Sequence, residues 1–277
     1  MVYGKVAAGK RLSEHEMRQE MIRVGRLMWE RGYVAATDGN LSARLGGDRL
    51  LVTASGLSKG FLSNGDLVVI GLDGEPVSSY RGRGLRASSE ISMHLEVYRQ
   101  RADVSAVVHA HPPLATAFSI AGVSLARCVI PEVIVTMGAI FTAEYATPGT
   151  AEVPASIRQA IHDYDALIMA HHGSLTVGRT LWEAYMRLEK VEHTAEITLA
   201  AQQLGRVNTL APQDVEKLME KRRELLQREG RDICEGCTVC LLGDEYAFPA
   251  GTVDDTELVQ QITQGVMKNL AGETTKR

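Results

Sequence analysis

The sequence predicts a single α/β layered domain over residues 1–204, followed by a helical extension over residues 205–277. Helical and strand patterns are interspersed along the chain rather than separated into blocks, which is typical of a layered α/β domain. The chain has 277 residues, of which 45% are hydrophobic, so it is long enough to bury a full core. No internal repeat is visible, and the pattern does not indicate a repeat architecture.

Composition and charge exclude several classes of function. A net charge of −4 and a pI near 6.1 do not provide the basic surface that general binding to nucleic acid or acidic membranes requires. No run of 18 apolar residues predicts a membrane span, and the first 21 residues lack the apolar core of a signal peptide. Four cysteines in a chain of this size do not indicate a secreted disulfide framework. We therefore expect a soluble cytoplasmic protein.

The first predicted element is an amphipathic helix over 13–32. Ser13 and Glu16 match a capping box, and Gly32 is a plausible stop. Three apolar segments separated by Gly, Asn and Asp predict strands joined by tight turns. These segments are NLSARL, RLLVTAS and DLVVIGLDG.

Further helices and strands follow in the middle of the chain. We expect a serine-capped helix over 88–101, a buried strand over 104–111, a helix over 113–121 and a strand near 127–136. Pro112 and Pro113 end the buried strand because proline has no N–H to donate to a ladder.

The last third of the chain contains the longest helical pattern. A helix opening near Thr150 precedes a short core strand over 166–170, which ends at His171–His172–Gly173. A long helix over 180–204 carries one apolar face. The extension then contributes a charged helix over 212–228, a turn that contains cysteines, and a final helix near 253–270.

Two histidines stand together in VVHAHPP. Side chains at i and i+2 of a strand point to the same side, so His109 and His111 project together from the strand end. Neutral imidazole is the commonest metal ligand, and two that lie close favour a shared cation. The alternative is a pair of surface or capping histidines that are neighbours by chance.

A second pair, His171 and His172, ends another apolar strand and precedes Gly173, which permits close backbone approach. On a strand only one of the pair can point towards His109 and His111, because neighbours alternate. Three convergent histidines leave one coordination position open, as in catalytic rather than structural zinc sites. The alternative is a buried core histidine beside an exposed one.

Glu90, in SSEISMH, is expected in the first turn of a helix, where the helix dipole stabilises its carboxylate. Beside a divalent cation it could be a fourth ligand or a general base. The alternative is ordinary helix capping. His94 follows one turn later, and we expect a structural role for it.

Three clusters rich in hydroxyl groups and glycine could bind a phosphate. They are Thr37–Asn40, Thr53–Gly56 and Ser88–Ser89, and the last is expected at a helix N-terminus, which favours anions. Most such clusters are simply turns. Next to a metal site they indicate a small phosphorylated substrate. Lys59 could assist, although we expect it on the surface.

Taken together, these motifs resemble the class II aldolase/adducin-type family over about residues 15–204, and within it the fuculose-phosphate aldolases. In chain order the motifs are TDGNLSARL, LLVTASG, SSEISMH, AVVHAHPPLATAFS, YATPGT and AHHGSLTVG. The resemblance implies a three-layer αβα domain with a central, mainly antiparallel sheet. It also implies a homotetramer with sites between subunits.

The resemblance implies a role for individual residues. His109, His111 and His172 would hold zinc or a similar divalent ion, with His172 chosen because it precedes glycine. Glu90 would be catalytic and would move a proton at the carbon next to a carbonyl. The implied phosphate pocket consists of Thr37, Gly39, Asn40, Ser55, Gly56, Ser88 and Ser89.

The implied activity is a zinc-dependent, reversible cleavage of a ketose 1-phosphate to dihydroxyacetone phosphate and an aldehyde. The sugar would be similar to L-fuculose 1-phosphate or to a deoxy- or methylthio-pentulose 1-phosphate. Alternatives are a dehydratase or 4-epimerase of the same family, or a non-catalytic adducin-like binding module. The related epimerases carry Asp where this chain has Glu90. Where fuculose-phosphate aldolases place a proton-donating Tyr, the nearest alignment gives Val135.

The extension contains Cys234, Cys237 and Cys240, outside the resemblance. Their spacing is compatible with iron–sulfur or zinc ligation, but no nearby fourth cysteine follows, which favours a turn with reduced thiols. Tyr246 follows this turn. It is a candidate for the proton donor, because valine at position 135 cannot donate a proton.

Overall fold

The computed structural model describes residues 12–77, 84–228 and 230. Its strands are β1 (Asn40–Gly46), β2 (Arg49–Thr53), β3 (Leu67–Gly71), β4 (Ala106–Ala110), β5 (Phe141–Ala143), β6 (Ala166–Met169) and β7 (Gly173–Gly178). They form one sheet in the order β3-β2-β1-β4-β7-β6-β5. Every neighbouring pair is antiparallel except β5 with β6, so the prediction of a mainly antiparallel sheet is confirmed.

Eight α-helices accompany the sheet in the described part of the chain. They are α1 (Glu14–Glu30), α2 (Ile91–Gln100), α3 (Pro113–Ile120), α4 (Pro131–Met137), α5 (Glu152–Ile157), α6 (Ala160–Asp163), α7 (Leu181–Gln203) and α8 (Pro212–Arg228). The predicted capping box of α1 is present, since the Ser13 hydroxyl accepts from the Glu16 N–H and the Glu16 carboxylate accepts from the Ser13 N–H.

Helices cover both faces of the sheet and give the predicted three layers. Helices α2, α5 and α6 contribute to one apolar core, and α1 and α7 to another on the opposite face. Alternation along β4 divides its side chains accordingly: Val107 lies in the core under α2, and Val108 in the core under α1 and α7. His109 has the parity of Val107 and therefore faces the α2 side.

The charged helix predicted over 212–228 is present as α8, which packs against α4. Val215 is buried in a small cluster with Cys128 and Ile134, and Arg222 donates a hydrogen bond to the Val135 carbonyl at 3.3 Å. The domain boundary at residue 204 stays a prediction. Cys234, Cys237, Cys240, Tyr246 and the helix expected near 253–270 lie outside the described residues.

One element prediction was wrong, and two strands were not predicted. The β-branched residues near 127–136 predicted a strand, but helix α4 occupies this stretch. Pro131 opens the helix at a position where a missing N–H costs nothing, and Gly138 ends it with a φ of 82°. The strands that were not predicted are β5, which pairs with β6, and β7, which pairs with both β4 and β6.

The boundaries of two site-bearing segments also differ from expectation. Helix α2 begins at Ile91 with Glu90 as its N-cap, and no serine side chain caps it. His171 and His172 lie in the turn between β6 and β7, so the strand alternation argument does not apply to them. Among the described residues, no helix has the length and apolar character needed to cross a membrane.

Candidate active site

Three imidazoles converge where β4 ends beside the β6–β7 turn. The fully buried His109 lies on β4, His111 follows the strand, and His172 lies in the turn. One nitrogen from each ring lies within 4.8 Å of the other two. The Nε2 atoms of His109 and His111 are 3.1 Å apart, so the predicted same-side projection of this pair is observed.

Partners behind the rings determine which nitrogen faces the cluster. The Nδ1 of His109 lies 2.9 Å from the Ser174 carbonyl oxygen, which can only accept, so Nδ1 carries a proton and Nε2 faces the cluster. The Nδ1 of His111 lies 3.5 Å from Asp38 Oδ2. Such partners behind the ring are typical of metal-binding histidines. This donor set fits a divalent ion that prefers nitrogen ligands.

The β6–β7 turn separates the roles of its two histidines. His171 adopts a φ of 58° and its ring faces Tyr145, with the ring centroids 6.2 Å apart. The next residue, His172, points into the cluster. Gly173 permits this approach, because a Cβ there would overlap the Ala110 carbonyl oxygen and lie 2.7 Å from Cδ2 of His111.

The carboxylate of Glu90 lies between two of the imidazoles. Its Oε1 is 2.9 Å from Nε2 of His172, and its Oε2 is 3.3 Å from Nε2 of His109. Burial raises the pKa of Glu90, but hydrogen bonds from His109 and His172 outweigh burial and hold that pKa well below its usual range. Glu90 is therefore ionised. It is the N-cap of α2, whereas the sequence analysis placed it in the first helical turn.

The His111 ring is electrostatically suited to binding a cation. Burial, together with the neighbouring His109 and His172, lowers the pKa of His111 to about 4. At neutral pH the ring is uncharged, and its lone pair is available.

A chain of polar side chains that the sequence analysis did not foresee supports Glu90. Asn40 Nδ2 donates to Glu90 Oε2 at 2.8 Å, and Asn40 Oδ1 contacts Nε2 of His94. Nδ1 of His94 lies 2.7 Å from Ser42 Oγ, which is 2.8 Å from the Tyr98 hydroxyl. We call these five residues the β1–α2 chain. Their signal in the sequence is N-x-S on a strand and E-x3-H-x3-Y on a helix.

The three clusters predicted to bind phosphate meet beside Glu90. The Ser55 N–H donates to the Arg86 carbonyl, which joins the second cluster to the segment before Ser88. Asn40 donates to Ser88 Oγ at 3.2 Å, which joins the first cluster to the third. Thr37, Ser55, Gly56 and Ser89 are exposed, whereas Gly39 and Asn40 are buried.

Gly39 has to be glycine for reasons of backbone shape. Its φ is 71°, and a Cβ would lie 2.6 Å from the Val34 side chain and 2.8 Å from the His109 carbonyl oxygen. The backbone of the first cluster thus lies directly against the strand that carries His109.

Lys59 is not the surface residue that we expected. Only 2% of it is exposed, and its Nζ donates to the carbonyls of Thr37 and Leu57 at 2.6 Å each. It therefore ties the first cluster to the loop after the second. Burial lowers its pKa to about 8, although the negative charges of Asp38 and Glu90 oppose the shift.

Comparison with protein families identifies this same region. The family model of the class II aldolase and adducin N-terminal domain matches residues 19–199. The match contains every residue of the histidine cluster, Glu90 and the three clusters rich in hydroxyl groups.

Curated relatives with different reactions align with the chain. An L-fuculose phosphate aldolase of Methanococcus maripaludis is 33% identical over 178 residues, which cover 64% of this chain and 93% of the relative. A 5-methylthioribulose-1-phosphate/5-deoxyribulose-1-phosphate aldolase of Rhodospirillum rubrum is 34% identical, covering 74% and 90%. A 3-oxo-tetronate 4-phosphate decarboxylase of Escherichia coli is 32% identical, covering 66% and 86%.

The fold is also similar to that of a solved structure. An L-fuculose 1-phosphate aldolase superposes with a TM-score of 0.68 at 30% sequence identity, covering 77% of this chain and 99% of that one.

Proposed function

The chain belongs to the class II aldolase and adducin family as an enzyme of the aldolase type, and we propose that it is a zinc-dependent aldolase that cleaves a ketose 1-phosphate to dihydroxyacetone phosphate and an aldehyde. The observation that carries the proposal is the position of the Glu90 carboxylate. It lies against two imidazoles of the histidine cluster and beside three loops rich in hydroxyl groups. A carboxylate there can serve both the metal and the substrate.

The metal centre would consist of His109, His111 and His172. Three imidazoles leave a coordination position open, and zinc is the ion that such catalytic sites most commonly hold. When bound, the ion would act as a Lewis acid for negative charge that develops on the carbonyl oxygen. The Nε2 of His109, which faces the cluster, and the lowered pKa of His111, which leaves that ring uncharged at neutral pH, support this assignment.

The remaining residues would bind and orient the substrate. Thr37, Gly39, Ser55, Gly56, Ser88 and Ser89, with Asn40, would form the phosphate pocket. A fixed phosphate would hold the reacting carbons at the histidine cluster. The buried, positively charged Lys59 lies between two of these loops and would favour the anion.

Glu90 would move the proton. When the C–C bond breaks, its electron pair would remain on the carbon next to the carbonyl, and the hydroxyl that becomes the aldehyde oxygen would lose its proton to solvent. Glu90 would take up a proton from solvent and deliver it to that carbon, so no net proton is gained or lost. In the direction of bond formation the carboxylate removes the same proton. Its lowered pKa keeps the carboxylate ionised at neutral pH, which is the form that can accept a proton.

The sugar is proposed from the relatives. Their names specify fuculose phosphate, methylthioribulose 1-phosphate and deoxyribulose 1-phosphate as substrates, all of which are ketose phosphates. The test is a panel of these compounds with the zinc-loaded protein, scored for release of dihydroxyacetone phosphate. Release from at least one is expected, and no release from any of them would refute the aldolase assignment.

A second candidate is decarboxylation of a 3-oxo acid phosphate, which the E. coli relative favours. Loss of carbon dioxide also leaves an electron pair beside a carbonyl, so the same metal centre and carboxylate could support it. Carbon dioxide release from 3-oxo-tetronate 4-phosphate, without cleavage of any ketose 1-phosphate, would favour this candidate. Epimerised or dehydrated product would instead identify the other family activities.

We place the enzyme in the cytoplasm as a homotetramer with sites between subunits. Both assignments rest on the family. A phosphorylated sugar is charged and does not cross membranes unaided, which supports a location where such sugars are made. Metal analysis of the purified protein tests the zinc assignment directly, with one zinc per chain expected.

A further inference from the structure

The β1–α2 chain has a regular construction. Its strand residues, Asn40 and Ser42, are two apart and so project from the same face of β1. Its helix residues, Glu90, His94 and Tyr98, are four apart and so share one face of α2 and its N-cap. The side chains alternate between the two elements, in the order Glu90, Asn40, His94, Ser42, Tyr98.

The ionised carboxylate of Glu90 sets the direction of every hydrogen bond in the β1–α2 chain. The carboxylate of Glu90 can only accept, so the Asn40 amide presents its NH2 group to Glu90 and its carbonyl oxygen to His94. Nε2 of His94 must then donate, which leaves Nδ1 of the neutral ring as an acceptor for the Ser42 hydroxyl. The Ser42 oxygen in turn accepts from Tyr98. All donors point towards Glu90.

Burial makes this arrangement strict. His94 is 1% exposed, and Ser42, Asn40 and Tyr98 are buried as well. Each buried polar atom therefore needs a hydrogen-bond partner among the neighbouring side chains, because an unsatisfied polar group is destabilising when it is shielded from water. Burial also lowers the pKa of His94 to about 3, which agrees with a neutral ring. A flipped Asn40 amide would place its carbonyl oxygen against the Glu90 carboxylate and its NH2 group against the Nε2–H of His94, so both hydrogen bonds would be lost.

We propose that His94 is a positioning residue for Glu90: its Nε2–H fixes the rotation of the Asn40 amide, and the amide holds the carboxylate at the metal centre. The proposal deepens the proposed function, since it rests on the assignment of Glu90 as the group that moves the proton. It adds a role in positioning Glu90 to the structural role that the sequence predicts for His94. Misplacing a reacting group by about 1 Å can cost on the order of 100-fold in rate, so such support has a measurable effect.

A matched pair of variants separates positioning from packing. His94→Gln places an amide NH2 near the position of Nε2 and can still donate to Asn40. His94→Asn is shorter, can reach only the position of Nδ1, and loses that donor. Both variants remove a buried ring and are expected to lower the thermal midpoint to a similar extent.

The kinetic outcomes for the pair are opposite under the two explanations. We expect kcat of His94→Gln within about threefold of the wild type and kcat of His94→Asn lower by about 30-fold, with zinc content retained in both. A purely structural role predicts equal kcat in the two variants, and that result would overturn the proposal.

Asn40→Asp keeps the side-chain shape and serves if both His94 variants fail to fold. It replaces the donor with a negative oxygen that repels Glu90, so kcat is expected to fall at least about tenfold with little change in KM. An increase in KM with unchanged kcat would show that Asn40 serves the phosphate only, which would overturn the proposal.

A readout that needs no turnover distinguishes failure of this proposal from failure of the proposed function. Nitrogen-15 NMR of imidazole-labelled protein at pH 7 is expected to show His94 as a neutral ring protonated on Nε2. A ring protonated on Nδ1 would refute the β1–α2 chain even in an active aldolase. Conversely, a protein whose His94 is protonated on Nε2 but that cleaves no ketose 1-phosphate would refute only the aldolase assignment. The hydrogen bonds of the β1–α2 chain would still be supported.

Discussion

At the scale of single residues, Glu90 combines burial with a negative charge. The structure stabilises that charge with two imidazoles and the Asn40 amide. Glu90→Gln is nearly isosteric but cannot take a proton. We expect it to retain zinc and to lose about 100- to 10,000-fold in kcat, the usual range for a general acid or base. Zinc analysis and the assay for dihydroxyacetone phosphate measure the two quantities.

The control for this substitution is Glu216→Gln, on the exposed side of α8. It changes the net charge by the same amount and should have wild-type turnover. Retained activity in Glu90→Gln would show that a group other than Glu90 transfers the proton at the carbon next to the carbonyl.

Lys59 gives a prediction that depends on pH. Its pKa of about 8 means that it is positively charged below pH 8 and neutral above it. If its charge assists the phosphate, KM of the wild type rises as pH rises through about 8. Lys59→Met should show KM about tenfold higher at pH 7, equivalent to roughly 1.4 kcal/mol, and no such rise with pH. Steady-state kinetics between pH 6.5 and 9.5, a range of about three units around that pKa, measures both.

Lys217→Met, at an exposed position of α8, is the control for the loss of a positive charge. The role of Lys59 in phosphate binding would be contradicted if KM of its variant matched the wild type throughout. Thermal unfolding of both variants shows how much of the effect comes from the loops that Lys59 connects.

The sequence could predict part of the site at this scale. His109 and His111 are two apart on a strand, so local periodicity is enough to place them together. The contacts of His94 and Lys59 could not be predicted, because their partners lie 54 and 22 residues away in the chain. Only tertiary packing determines that Lys59 is buried.

At the scale of elements, the β6–β7 turn decides whether His111 and His172 can meet. A methyl group at Gly173 would overlap the Ala110 carbonyl oxygen and press on the His111 ring. Gly173→Ala is therefore expected to lower zinc affinity at least about tenfold, in line with other changes that displace a metal ligand. Titration with a competing zinc chelator measures it.

Gly122→Ala is the matched control. Gly122 has a φ of 67° and no atom near the position of an added Cβ, so this change costs only backbone strain of about 1–2 kcal/mol. Its zinc affinity should equal that of the wild type despite a lower thermal midpoint. Equal zinc affinities for all three proteins would contradict the role given to Gly173.

Local propensity failed at α4 for an identifiable reason. Val133, Ile134, Val135 and Thr136 are β-branched and favour strands on their own. Burial of Ile134 against Cys128 and α8, and of Val133 in the cluster that includes Phe118, supplies more stabilisation than this preference, and Pro131 provides a helix start. The missed β7 begins and ends with glycine, which weakens its strand pattern, and its pairing with β4 joins residues 64 or more positions apart in the chain.

At the scale of the whole molecule, alternation of helices and strands could predict the layered class, whereas the strand order could not be predicted. β4 lies between β1 and β7, which come from distant parts of the chain. That arrangement places the end of β4, with its histidines, beside both the α2 N-cap and the β6–β7 turn. The active site is thus a product of topology as much as of motif.

The assembly state is the prediction at this scale. A homotetramer would have about four times the 30.2 kDa mass of the chain. Light scattering coupled to size exclusion at micromolar protein is expected to give that value. A monomer with full aldolase activity would contradict both the tetramer and the placement of sites between subunits.

The side from which Glu90 approaches has a further consequence. The β1–α2 chain fixes the carboxylate on one side of the histidine cluster. The hydroxymethyl carbon of dihydroxyacetone phosphate carries two hydrogens that solution chemistry does not tell apart. A base held on one side reaches only one of them, so the enzyme would make them distinct. In heavy water, deuterium would enter a single prochiral position, and proton NMR would detect one labelled stereoisomer.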